Sequence, residues 1–115
     1  MPAVLNDPAD RLNPVPNYFY LMDMASFKES IRANAVPEPA SVYLKALWYD
    51  AAGDWEKAHQ LIQDLTDKNA AWIHAYLHRK EGDVWNADWW YNKAGKQRPA
   101  VSLEEEWERL VAAFL

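Results

Sequence analysis

The chain has 115 residues and a mass of 13.3 kDa, enough for one domain that buries roughly two thirds of its unfolded-chain surface. It is 50% hydrophobic and 25% charged, with no apolar run near the ~18 residues of a membrane helix and no signal-like start, so a soluble, cytoplasmic protein is expected. The net charge of −5 argues against nucleic acid or an anionic membrane as partner, and the absence of cysteine removes disulfides, thiolate catalysis and cysteine-bound zinc.

In chain order, residues 1 to about 17 carry four prolines (Pro2, Pro8, Pro14 and Pro16), each of which fixes φ and removes a donor. They predict an extended arm. The run Tyr18-Phe19-Tyr20-Leu21-Met22 is too apolar to be left in water and is expected to dock. A short helix follows over about 23–34, with Phe27 and Ile31 one turn apart, and Pro37 and Pro39 separate it from the next. From residue 40 the pattern is helical throughout. Residues 40–52 are apolar nearly all round, which predicts a helix buried on two sides. Helices are expected over 55–65, 70–81 and 84–94, punctuated by Gly53-Asp54, a turn at 66–69 and Gly82-Asp83, with Gly95 at the last stop. Ser102-Leu103-Glu104-Glu105 reads as a capping box that opens a final helix with the stripe Leu103, Trp107, Leu110, Val111 and Phe114. An all-α fold is therefore expected, arranged as arm and short helix (1–39), hairpin 1 (40–66), hairpin 2 (67–99) and a capping helix (100–115).

The phrase Gly53-Asp54-Trp55-Glu56-Lys57-Ala58 recurs 29 residues later as Gly82-Asp83-Val84-Trp85-Asn86-Ala87. The same shift pairs Tyr43 with Trp72, Ala46 with Ala75 and Ile62 with Tyr91, a period that signals helical hairpins. Glycine lets the chain reverse, aspartate caps the returning helix, and the small alanines let the helices approach. By the same register Asp50 and Arg79 are equivalent, and they are expected side by side as an ion pair or, in the alternative, as a clamp for a ligand carboxylate.

These residues resemble the tetratricopeptide repeat in a divergent, short form, over residues 41 to 99. The usual first-helix Trp is replaced by Val42 and Ala71, and Lys45 and His74 stand where the family has a large apolar residue. The stretch from Ala71 to Asp83 also resembles a small family of uncharacterised bacterial proteins, which implies a bacterial origin and brings no function. The repeat resemblance implies a stack whose first helices line a concave, peptide-binding face. Carried over, that face holds Tyr43, Leu47, Asp50, Asn69, Trp72, Tyr76 and Arg79.

Trp85 and Trp89 lie four residues apart, off the core stripe of the fourth main helix, where the first repeat has Glu56 and Gln60. They are expected to meet a cover, either within the chain or in a partner or second copy. His74, His78 and Glu81 fall at i, i+4 and i+7 on one helix face, with His59 or Asp50 nearby. The favoured reading is two partly buried, hydrogen-bonded histidines; metal ligation is the alternative. The charges at Lys93, Lys96 and Arg98, and at Glu104, Glu105, Glu106 and Glu108, are read as solvated faces. No serine elbow or phosphate-cradling loop is present, no cofactor is expected, and no residue is assigned as catalytic. The leading expectation is a noncatalytic interaction module for a peptide, a protein or its own copy; the alternative is an enzyme using the histidines, Glu81 and Asp50.

Overall fold

A computed structural model describes residues 22–115; the expected arm and the Tyr18-to-Leu21 part of the apolar run lie outside them. Among the described residues the fold is all-α, with six helices and no strand: α1 (Met24–Arg32), α2 (Val42–Ala51), α3 (Trp55–Ile62), α4 (Lys68–Lys80), α5 (Val84–Ala94) and α6 (Leu103–Phe114). None is long and apolar enough to cross a membrane.

The helix starts follow from local chemistry. The side chains of Asp23, Ser41, Asp54, Asp67 and Ser102 each accept a hydrogen bond from the backbone N–H three residues on, satisfying a donor that the first turn leaves free. Asp67 thus begins α4 at Lys68, two residues before the boundary expected from hydrophobic periodicity. The 37–41 segment forms no helix, and α2 starts only after Ser41.

The two hairpin turns share their backbone pattern but not the expected cap, since Asp54 caps α3 whereas the Asp83 side chain accepts from the Asn86 side chain and makes no cap hydrogen bond to α5. Gly53 and Gly82 have φ of +92° and +89°. In the first, Gly53 N–H donates to the Asp50 carbonyl and Asp54 N–H to that of Tyr49; in the second, Gly82 donates to Arg79 and Asp83 to His78. Glycine fits because a side chain would strain this left-handed backbone. Ala46, Ala58, Ala75 and Ala87 are fully buried, as expected of the small residues between close helices.

The hairpins α2/α3 and α4/α5 stack, and Trp55 of the first donates its indole N–H to the Leu77 carbonyl of the second at 2.8 Å. Helix α6 packs on α2 and α4. Its Leu110 and Val111 are fully buried in a core with Leu47, Ile73 and Leu77, each such side chain contributing roughly 1.5–3 kcal/mol. Trp107 donates to the Leu47 carbonyl at 3.0 Å, and Phe114 stacks on Tyr43 with ring centroids 4.9 Å apart. Helix α1 closes the other side, with fully buried Phe27 against Trp107 and Lys28 paired with Glu108.

One charge departs from the expected solvated face. Glu106 is only 1% exposed; it accepts from Arg79 Nη1 at 2.6 Å and from the Tyr91 hydroxyl at 2.6 Å. It lies between Leu103 and Leu110 on the helix side that meets α4, so packing carries it inward with its partners. Arg79→Met should cost about 3–5 kcal/mol of unfolding free energy, because a buried carboxylate loses its cation; urea melts of parent and variant measure the difference.

Candidate functional site

Of the seven residues expected to line an open concave face, Leu47 is buried in the core and Asn69 is exposed, and the other five are engaged within the chain. Tyr43 stacks on Phe114 and donates its hydroxyl proton to Asp67 at 2.7 Å. Trp72 has Phe114 on one side, at 5.9 Å between centroids, and Lys96 Nζ 4.2 Å from its ring centre. Asp50 and Arg79 do not pair with each other. Asp50, 2% exposed, accepts from Tyr76 at 3.1 Å and from Lys80 Nζ at 3.0 Å, whereas Arg79 is held by Glu106 and the Val101 carbonyl. The equivalence by register is real at the backbone, but adjacent side chains supply each charge with a closer partner. Helix α6 and the turn before it thus engage Tyr43, Trp72 and Arg79, while Asp50 and Tyr76 line an open cleft.

Each buried carboxylate is shared between one cation and one tyrosine. Burial, then the Asp50 charge and its hydrogen bond, raises the Tyr76 phenol well above its ordinary value; burial and the Glu106 hydrogen bond do the same to Tyr91. Beside Tyr76 a cleft of 430 Å³ opens between α1, α2, α4 and α6, where Lys28, Arg32, Asp50 and Lys80 face Trp107.

A second cluster forms where α3, α4 and α5 meet. Nε2 of His59 and Nε2 of His74 are 3.0 Å apart. His78 lies one turn beyond His74, and its Nδ1 is 2.7 Å from Glu81. Trp90 stacks on His74 at 3.9 Å between centroids, and Trp55 on His59 at 4.9 Å. Burial, followed by the charges of His59 and His78, pushes the His74 imidazole down to about 3, so it is neutral near pH 7; burial also lowers His59. The structure therefore brings His59, His74, His78 and Glu81 together and leaves Asp50 elsewhere. His59 is the member that helix spacing could not place, since it arrives from the other hairpin.

The third feature is the outward face of α5. Trp85 is 81% exposed and Trp89 48% exposed, and among the described residues nothing covers Trp85. Val84 and Leu65 are also exposed. A groove of 510 Å³ runs from Trp89 and Trp90 to Leu65 and Ala71, with Lys93 at its edge; Lys93 Nζ lies 5.2 Å from the Trp89 ring centre. The expected contrast with Glu56 and Gln60 is thus a contrast of exposed surfaces.

Comparison with known protein families, with curated proteins and with solved structures gave no match.

The tyrosines give a direct test of the buried network. Ordinary phenols ionise near pH ~10, but the raised values keep Tyr76 and Tyr91 protonated beyond it while the fold persists. Stability linked to these protons is complete below that pH and declines above it, because the unfolded chain releases them first. In ultraviolet alkaline titration, Tyr91→Phe should match the parent while both are folded and show one phenolate fewer after unfolding.

Proposed function

We propose that this chain is a noncatalytic, tetratricopeptide-like interaction module that engages a protein partner or a second copy of itself through Trp85 and Trp89. The observation that carries this reading is the exposure of two tryptophans on one helix face, with exposed Leu65 lining the same groove as Trp89. Soluble monomers rarely leave such an apolar patch in water, and tryptophan is the residue type that most often anchors a binding surface. The matched glycine turns and buried alanines of the two hairpins support the repeat kinship. With α6 laid over α2 and α4, the concave residues Tyr43, Asp50, Trp72, Tyr76 and Arg79 act as structural positions, and recognition moves to the outward face of α5. The groove beside Trp89 joins Leu65, Trp89 and Trp90 to Asp64, Asp67, Lys68 and Lys93, so it suits a side chain of mixed apolar and polar character.

Replacing Trp85 by Glu and Trp89 by Gln restores the residues of the first repeat. The double variant should melt within about 1 kcal/mol of the parent, as exposed substitutions do. It should weaken self-association or partner capture by about 30-fold or more, the loss of one ~2 kcal/mol anchor. Sedimentation across a concentration series and pull-down with the purified chain measure this; unchanged behaviour in both assays would remove the role assigned to the face.

A further inference from the structure

We propose that His59, His74 and His78 form a binding site for a divalent transition-metal ion of the zinc type, joining the two hairpins. One ring nitrogen from each of the three lies within 4.8 Å of the others. Three imidazoles without thiolates suit zinc, nickel, cobalt or copper, whereas calcium and magnesium need oxygen donors. Zinc bonds of ~2.0–2.1 Å to nitrogen place tetrahedral ligands ~3.3 Å apart. The His59 and His74 nitrogens, at 3.0 Å, need to part by only a few tenths of an ångström as their shared hydrogen bond gives way to the ion.

The surrounding groups fix the rings for this task. His74 and His78 project from successive turns of α4, and His59 approaches from α3. Trp90 and Trp55 stack on His74 and His59 with interplanar angles of 20° and 10°, restricting rotation of both imidazoles. Glu81 accepts the Nδ1 proton of His78 at 2.7 Å, which selects the tautomer whose Nε2 lone pair is free. A carboxylate behind a metal-bound histidine is a recurring arrangement that orients the ring and raises its basicity. His74 and His78 are buried, while His59 is partly exposed and gives access from solvent. Three protein donors leave a fourth position for water or an exchangeable ligand. The ion would tie α3 of one hairpin to α4 of the next, so its binding should show in stability. Trp90 borders both this site and the groove beside Trp89, but the histidines and the outward tryptophans are different residues and neither reading depends on the other.

The test uses the full chain, free of any polyhistidine tag and stripped with a chelator. Titration with Co²⁺ should give the intense visible bands of a four-coordinate ion at one equivalent, and Zn²⁺ should displace them. Excess Zn²⁺ should raise the melting temperature, since an ion that binds only the folded chain stabilises it. His59→Gln, at a partly exposed position, should fold and lose at least 10-fold in Zn²⁺ affinity, and Glu81→Gln should lose about 10–100-fold. Absence of Co²⁺ bands and of any melting shift with Zn²⁺ would overturn the site. So would undiminished affinity in both variants, which would place the ion elsewhere.

Discussion

A helical hairpin cannot bury its apolar face alone, and two hairpins leave one side of each outer helix open. Here that constraint is met by α6, which lays Trp107, Leu110 and Val111 across α2 and α4. Because the core is completed by this contact, the rest of the molecule is arranged around it. Helix α1 packs Phe27 against Trp107, and the Arg79, Glu106 and Tyr91 network fastens α6 to both helices of the second hairpin.

Covering that side with the chain's own helix redistributes the polar and aromatic residues. Asp50 is buried and Arg79 partly buried, each satisfied by separate partners, and among the described residues no buried side-chain polar atom is left without one. Tyr43 and Trp72 pack on Phe114. On α5, by contrast, Trp85 and Trp89 are turned outward and stay exposed. The histidines occupy the remaining seam, where the stacking of α3 on α4 creates a cluster that neither hairpin contains by itself.

Much of the local structure was legible in the sequence because its causes are local. The stop at Gly95 and the serine cap at Ser102 rest on hydrogen bonds spanning three to five residues, although the expected capping box is only half formed because the Glu105 carboxylate pairs with Arg109. The shared face of His74, His78 and Glu81 follows from helix geometry alone. Glu106 was not legible as a buried charge because Glu104, Glu105, Glu106 and Glu108 together resemble a solvated face, and only its place between Leu103 and Leu110 marks it as inward. The arrival of His59 left no mark at helical spacing, since it depends on how one hairpin rotates against the other.

By itself, the sequence determined six helices, the caps at Asp54 and Ser102, the stop at Gly95, two matched glycine turns and the small residues at the crossings, because backbone hydrogen bonding and side-chain period act within a few residues. Only the tertiary structure decided that α6 lies over α2 and α4, that Asp50 and Arg79 part company, that Glu106 is buried, and that three histidines converge. Those outcomes turn on competition among distant side chains for partners and apolar cover, and the winner is set by packing between helices rather than by the pattern within any one of them.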